Sequence, residues 1–526
     1  MSELPREVMP GLTWLGTCGE INFQGGIIHS PWNTFLVSGT EKTLLVDSGA
    51  PIGLPVVRRQ LESVLQGRPL DYLFPTHPEM PHMGNLGFLL DEYPDLRVVG
   101  DLRNYHLYFP EATNRLEQHT IGDRIDLGGR SLVLVEAVIR DLPKHALGLR
   151  HREPGSLRLR RLRLLPRPQG RPMRADRRGA AGGAERGPHG MDHLQRALLG
   201  AIRRPPAALR PPRQAAGGAS GRDHLPGPWQ RRDQPERDDP DHEGGAAGGP
   251  LRECGAPLTE VAPGLFAISQ WVALDGNISW VPRSARGWEP STVYLVDGGE
   301  EALLYDTGLP VHRSAILEQL AERVGDRELA LWTSRLVEPD SVGNVVPVLE
   351  RLKVRRIMNA TQSNQLRLVT HRWHEFTSEN GYSVERLQWG ERFRVGTREL
   401  EVIQPAARVI ATSWLYDLES RVLLSSDFFG HLHRSEVATS PVFEGAAQAS
   451  SVEQVREHLL AKYEWLRGAD VAAICQSLEA IFADREIASI APGHGCIISG
   501  EEAVRRHYQL TLEALQGLGR EAQQAG

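Results

Sequence analysis

The sequence predicts an α/β fold of sheets packed by helices, present twice in the chain. Short runs rich in Val, Ile, Leu and Phe alternate with turn residues, as in NTFLVSG at 33–39 and TLLVDSG at 43–49, and such runs predict strands. An amphipathic segment follows the strands in each half, at 54–65 and 311–324, and predicts a helix. Because strands and helices alternate, we expect the helices to cover a sheet.

An internal repeat predicts the duplication. VMPGLTWL at 8–15 matches VAPGLFAI at 261–268, and LLVDSG at 44–49 matches LLYDTG at 303–308. The matching segments follow one another at similar spacing in both halves, as expected for two copies of one unit.

The length and composition divide the chain into three zones. At 526 residues the chain is too long for a single hydrophobic core. We predict a globular N-terminal region at 1–143, an Arg/Pro/Gly-rich segment at 144–255, and a second globular region ending in a helix at 256–526. From residue 144 to about 250 there is no Val, Phe, Tyr, Thr or Asn, so this segment cannot build a core and is expected to be disordered.

Charge and cysteine usage narrow the class of protein. The net charge of −6 and the pI near 6.4 argue against a nucleic-acid binder. The four cysteines have no CxxC spacing, which argues against a disulfide framework and a thiolate zinc site. No apolar run is long enough to span a membrane, and the first residues lack the pattern of a signal peptide. We therefore expect a cytoplasmic protein with no membrane contact.

A polar loop after a strand of the first half has the composition of a metal site. It reads THPEMPHMGN at 76–85 and brings His77, Glu79 and His82 within six residues. Imidazole nitrogens and a carboxylate together suit zinc or non-haem iron. The loop therefore predicts a site for one or two metal ions.

This loop resembles the ligand loop of the metallo-β-lactamase superfamily, in the HxExDH form of its flavodiiron and oxygen-binding di-iron members. The resemblance implies an αββα sandwich with a di-iron centre, the first copy truncated and the second complete. Pro81 stands where the family has an aspartate ligand, so the second metal lacks that donor. The family's next ligand would fall at Asp141.

The second half resembles the later part of the same motif set. SSDFFG at 425–430 is similar to the family's bridging-aspartate strand and implies Asp427 as a ligand. APGHG at 491–495 is similar to the family's last-histidine motif and implies His494. In the hallmark loop, Glu338 and Asp340 remain as candidate ligands.

Other positions of that second loop have lost their donors. Aligned on Gly-Asn, it places Leu336 and Ser341 opposite His77 and His82, and Arg408 stands where the family has its third histidine. A guanidinium stays protonated and repels a metal ion. The sequence leaves two alternatives for this half, which are a weakened oxygen-rich site and a metal-free relic.

The resemblance also assigns supporting roles. Asp47 and Asp306 end apolar strands, where the family has an aspartate that holds the ligand loop by hydrogen bonds. His431 and His433 follow the Asp427 strand and are candidates for substrate contact, whereas HRWH at 371–374 is interpreted as surface histidines.

The middle segment has a second explanation, which is a shifted reading frame. Residues 226–235 admit codons that read Pro-Gly-His-Gly-Asn one nucleotide later, which is the last-histidine motif that the first half lacks. Residues 148–162 admit codons that read a Ser-Asp-Ala-Phe motif in the same shifted frame. The first half would then be damaged only as written. An uninterrupted frame in relatives that carry the same Arg-rich segment would contradict this hypothesis.

Three classes of function follow, and whether the chain is an enzyme stays open among them. The first is a di-iron protein that binds or reduces dioxygen or acts in another redox reaction. No flavodoxin-like segment that would hold FMN follows the second region, so a separate electron-transfer protein is expected to supply electrons. The second is a zinc-dependent hydrolase of esters, thioesters or lactones with a small-molecule substrate, and the third is a non-catalytic structural or sensor protein. A homodimer is a further expectation.

Overall fold

The computed structural model describes residues 4–23, 26–136, 146–152, 256–360, 364–407, 412–445 and 450–525. Most of the segment predicted at 144–255 lies outside these residues, as do Asp141 and Arg408. The predicted disorder and the frameshift hypothesis therefore concern a part of the chain that is not described.

The N-terminal region is built on a large mixed sheet. Its described strands are β1 (Arg6–Met9), β2 (Leu12–Phe23), β3 (Gly26–Ser38), β4 (Thr43–Val46), β5 (Tyr72–Phe74), β6 (Arg97–Gly100), β7 (Leu116–Gln118), β8 (Arg124–Asp126), β9 (Arg130–Glu136) and β10 (Ala146–Arg152). Strands β1 to β7 lie side by side in chain order, antiparallel up to β4 and parallel from β4 onward. A smaller antiparallel sheet has the order β10-β9-β8.

The C-terminal region repeats this sheet and adds a second large one. Its described strands are β11 (Thr259–Ala262), β12 (Leu265–Leu274), β13 (Gly287–Asp297), β14 (Glu301–Tyr305), β15 (Glu328–Trp332), β16 (Val354–Asn359), β17 (Ser383–Arg386), β18 (Arg392–Val395), β19 (Arg398–Ile403), β20 (Trp414–Asp417), β21 (Val422–Ser426), β22 (Val442–Glu444), β23 (Ser489–Pro492) and β24 (Ile497–Ser499). Strands β11 to β17 follow the order and the antiparallel-to-parallel switch of β1 to β7. The other sheet has the order β18-β19-β20-β21-β23-β24-β22.

Helices cover the outer faces of the sheets. The described α-helices are α1 (Leu54–Leu65), α2 (Met80–Met83), α3 (Leu86–Glu92), α4 (Tyr105–Tyr108), α5 (Arg313–Val324), α6 (Pro339–Val342), α7 (Val345–Arg351), α8 (Leu366–Val369), α9 (Val452–Lys462), α10 (Val471–Ala483) and α11 (Glu501–Ala525). Helix α9 begins with a capping box, in which Ser451 and Gln454 satisfy each other's backbone N–H groups.

Three apolar layers hold the C-terminal region together. Side chains of α5, α6 and α7 pack on the β11–β17 sheet. The two sheets enclose a second layer that includes Tyr294, Trp332 and Leu424. Helices α9, α10 and α11 pack on the far sheet around Leu459, Leu478 and Leu515. Because both faces of the sheets are covered, the strands are long buried runs, and the predicted αββα order is confirmed.

The two regions share an apolar core. Leu73, Met83 and Leu102 of the first region pack in one cluster with Leu274 and Trp280 of the second. In the part of the chain that the structure describes, no helix is both long enough and apolar enough to cross a membrane.

Candidate metal centre

Two aspartates at equivalent strand ends organise the ligand loops. Asp47 follows β4 with φ 57°, and Asp306 follows β14 with φ 63°, a left-handed conformation that is uncommon for a residue with a side chain. Asp47 accepts hydrogen bonds from the backbone N–H (2.7 Å) and the hydroxyl (2.9 Å) of Thr76. Asp306 accepts the same pair from Ser334, at 2.7 and 2.6 Å. Each aspartate therefore fixes the start of the loop that follows the next strand.

The first loop brings its three predicted ligands to one place. His77 and Glu79 are buried, and His77 Nε2 lies 3.4 Å from Glu79 Oε1. The ring of His82 lies 5.1 Å from that of His77, between centroids. Its Nδ1 lies 3.0 Å from Asp47 Oδ2, so Nε2 is the nitrogen that a metal would use.

The chemistry of these donors fits one metal ion. Two imidazoles and one carboxylate are the ligands of many mononuclear iron and zinc sites. Pro81 lies in the first turn of α2, where it offers no donor to a second ion. The further ligand predicted at Asp141 lies outside the described residues.

The second loop is one residue longer than the first, and this changes the alignment. Thr76 and His82 are six positions apart, whereas their structural counterparts Ser334 and Ser341 are seven apart. The residue that directly follows the anchored position is His77 in the first loop and Arg335 in the second. Pairing His77 with Leu336 was therefore wrong, because the hydrogen bonds to the two aspartates place Arg335 opposite His77.

The position opposite His82 keeps its contact but loses its ligand atom. The hydroxyl of Ser341 donates a hydrogen bond to Asp306 Oδ1, just as His82 Nδ1 contacts Asp47. Ser341 thus stabilises the loop and carries no imidazole.

The candidate ligands of the second half surround two buried cations. Arg335 contacts Glu338 (Nη1 to Oε2, 2.8 Å), Asp340 (Nη2 to Oδ2, 2.6 Å) and Asp427 (Nη1 to Oδ1, 2.8 Å). Lys462, at the end of α9, contacts Glu338 Oε2 at 2.9 Å and Asp427 Oδ2 at 2.6 Å. Every carboxylate predicted to bind metal in this half therefore contacts at least one cation.

His494 completes this cluster. Its Nε2 lies 2.5 Å from Asp340 Oδ2, and its ring stacks on Trp280 with centroids 4.2 Å apart. Asp340, Asp427 and His494 offer donor atoms that all lie within 4.8 Å of one another. The structure thus brings the predicted ligands Glu338, Asp340, Asp427 and His494 together, but around a guanidinium and an ammonium group.

Electrostatics keep both cations charged. Burial by itself lowers the pKa of Lys462, but the charges of Asp427 and Glu338 outweigh burial and raise it. Burial also opposes the charge of Arg335, and Asp340, Asp427 and Glu338 raise its pKa well above the usual value. Burial raises the pKa of Asp306 to about 6, against the opposing charge of Arg335. A second positive charge on a metal ion would meet this pair at close range, so the centre does not fit a di-metal site.

Comparison with known families agrees with the duplicated fold. Residues 30–155 match the family model of the metallo-β-lactamase superfamily, and residues 290–495 match the model of the ODP family beta lactamase. The chain carries two metallo-β-lactamase superfamily regions.

The metallo-β-lactamase regions are similar to parts of larger proteins. Coenzyme F420H2 oxidase of Methanothermobacter thermautotrophicus is 29% identical over 159 residues, which are 27% of this chain and 38% of the relative. The oxidase of the same name from Methanocaldococcus jannaschii is 26% identical over 150 residues, 26% of this chain and 36% of the relative. The matches thus span less than half of these relatives. Among solved structures, the metal-soaked Flv1 flavodiiron core from Synechocystis covers 50% of this chain and 61% of its own, with 14% identity and a TM-score of 0.38.

Sequence reasoning missed both cations of the C-terminal metallo-β-lactamase region. Arg335 lies next to Leu336, and an alignment without a gap hid its equivalence with His77. Lys462 comes from α9, far along the chain from the loop, and a lysine at a helix end is ordinarily solvated. The available signal was a basic residue inside the shortened motif itself, beside Glu338 and Asp340.

The other candidate histidines of this region occupy different surroundings. His431 and His433 are buried near His458, with ring centroids 6.2 and 6.1 Å from it, and His431 Nε2 lies 2.9 Å from Nδ1 of His507. His374 is exposed, as predicted, whereas His371 is half-buried with its ring against Phe88 of the other region.

Proposed function

We propose that this chain is a redox protein of the dioxygen-binding type in which the N-terminal region holds one iron ion and the C-terminal region is a metal-free partner. The contrast between the two loops carries the proposal. His77, Glu79 and His82 present two imidazoles and a carboxylate in the first, whereas Arg335 occupies the corresponding place in the second.

The relatives support the choice of redox chemistry. The two curated relatives are named as oxidases of a reduced coenzyme, and the family resemblance of the first loop is to its di-iron form. Since the matches cover only 38% and 36% of those oxidases, their activity is a proposal for this chain.

The residues of the first loop have separate roles in this proposal. His77 and Glu79 would bind the ion from a buried position, and His82 would bind through Nε2 while Asp47 fixes its ring. A bound iron supplies the means to bind dioxygen and pass electrons to it. Reduction of O₂ to two H₂O consumes four electrons and four protons, so a separate electron-transfer protein is the proposed donor.

Zinc is the alternative for the same donors. Two imidazoles and a carboxylate also form hydrolytic zinc sites, in which the ion activates a water molecule. Zinc in the purified chain together with hydrolysis of a thioester or lactone would support this second candidate.

Elemental analysis and oxygen uptake of the full chain test the proposal. We expect about one iron per chain, dioxygen consumption when a reductant is added, and loss of both in His77→Ala. His374→Ala is the matched control because His374 is exposed, and it should keep its iron. A chain that takes up no iron, or that loses iron equally in both variants, would contradict the proposal.

A further inference from the structure

The C-terminal centre contains two positive charges arranged as a bridged pair. Asp427 contacts Arg335 through Oδ1 at 2.8 Å and Lys462 through Oδ2 at 2.6 Å. Glu338 contacts both cations through Oε2, at 2.8 and 2.9 Å. Each of these carboxylates therefore links two cations, as a bridging carboxylate links two metal ions.

All members of this cluster are removed from water. The side chains of Arg335 and Lys462 are 2% and 6% exposed, and those of Asp340 and Asp427 are both 4% exposed. Buried carboxylates repel one another and lose hydration, so they need a compensating charge inside the protein. Here the chain itself supplies that charge, from the ligand loop and from α9.

We propose that Arg335 and Lys462 replace the two metal ions of this region, so that its ligand set stays assembled without metal. The proposal rests on the proposed function only in taking the C-terminal region as metal-free. It adds that the cations do the structural work of the metals. It also adds that Glu338, Asp340, Asp427 and His494 form a latent site for a divalent cation, which Lys462 and Arg335 block.

Removal of one cation should expose its structural role. In Lys462→Met, the carboxylates of Asp427 and Glu338 lose a buried partner, and we expect the thermal unfolding midpoint to fall by on the order of 10 °C. Lys353→Met is the control, because Lys353 is 46% exposed and pairs with Glu328 at the surface. All variants carry His77→Ala, so that iron in the N-terminal region does not affect the comparison.

A charge-balanced variant keeps the test decisive if Lys462→Met does not fold. Lys462→Met with Asp427→Asn removes one cation and one anion together, and we expect it to recover most of the lost midpoint. Equal midpoints for the single and the balanced variant would overturn the proposal, because the loss would then come from packing.

Cobalt(II) is the probe for the latent site. With the His77→Ala background, we expect EDTA and Co²⁺ to leave the unfolding midpoint unchanged, and Co²⁺ to raise the midpoint of Lys462→Met and give a visible d–d spectrum. Stoichiometric metal in the background protein, lost in Asp427→Asn, would overturn the proposal. Iron lost only on mutation of His77 bears on the proposed function and not on this inference, so the two can fail separately.

Discussion

Glu289 is a carboxyl group that strand β13 buries completely near the C-terminal centre. Burial raises its pKa from 4.5 to about 7, and the charge of His494 and the hydrogen bond from Trp280 only partly oppose this. Between these two pH values the folded chain keeps a proton that the unfolded chain has lost. Stability contributed by this group is therefore present below about pH 4.5 and is lost as the pH rises through about 7, by roughly 3 kcal/mol in total.

Glu289→Gln should remove this dependence, because the amide oxygen can still accept from Trp280. We expect the variant to gain stability relative to the wild type as the pH rises from about 5 to about 8, measured by urea unfolding. The difference between the two proteins is needed because burial lowers the pKa of His433 to about 4, which acts in the opposite direction below the usual histidine range. Glu328→Gln, at an exposed position, is the control. Parallel pH curves for Glu289→Gln and the wild type would contradict the prediction.

Single residues of the centre were predictable where a short motif names them. Asp427 and His494 lie in segments that resemble family motifs, and the structure places both beside Asp340. Lys462 was not predictable, because its role depends on where α9 packs and no local pattern marks a lysine that will be buried. Its burial follows from three carboxylates whose convergence is visible only in the folded chain.

The two ligand loops behave as elements of different length held at equal ends. Asn85 and Asn344 donate side-chain hydrogen bonds to the carbonyls of Ser48 and Thr307, so both loops close in the same way. The extra residue of the second loop lies between these fixed ends. Sequence alone aligned the closing Gly-Asn correctly, but it had no information on where the additional residue is accommodated.

The loops also contact each other across the two regions. The backbone N–H of Met80, at the first position of α2, donates to the carbonyl of Val337 at 2.9 Å. The second loop has Pro339 at the corresponding first position of α6, where a proline is well tolerated. Met80→Pro therefore removes this hydrogen bond with little effect on the helix, and its expected cost is about 1 kcal/mol.

Iron binding should report this loss more sensitively than stability. The hydrogen bond fixes the loop between Glu79 and His82, so we expect Met80→Pro to bind iron more weakly, measured by competition with a chelator. Met80→Leu keeps the N–H and a side chain of similar volume, and it should bind like the wild type. Equal weakening in both variants would assign the effect to the side chain and contradict the role of the hydrogen bond.

At the scale of the whole molecule, the repeat predicted the two equivalent sheets, because both copies preserve the strand-end aspartate and the following glycine. The contact between the copies was not predictable. It is made by the 275–286 segment after β12 and by α4, neither of which has a periodic pattern, and their side chains meet over long sequence separations. Long-range packing of this kind follows from the shapes of two folded surfaces.

Asn104 is the polar centre of that contact. It has φ 73°, its Nδ2 donates to Ser279 Oγ at 2.9 Å, and its Oδ1 accepts from the Ser279 backbone N–H at 2.9 Å. Asn104→Gly keeps the left-handed backbone but leaves buried groups of Ser279 without these partners, at a cost of about 1 to 3 kcal/mol.

Because this cost falls on the contact itself, Asn104→Gly should separate the unfolding of the two regions. We expect calorimetry to show a broader or split transition, with the N-terminal region unfolding first because its second sheet is the smaller. Gln66→Gly is the matched control, since Gln66 also has a positive φ (49°) but is exposed at the end of α1. A transition that is lowered but unchanged in shape would mean that the shared apolar core couples the regions without help from Asn104. The same shape in both variants with no loss of stability would mean that the Asn104 contact contributes nothing to holding the two copies together.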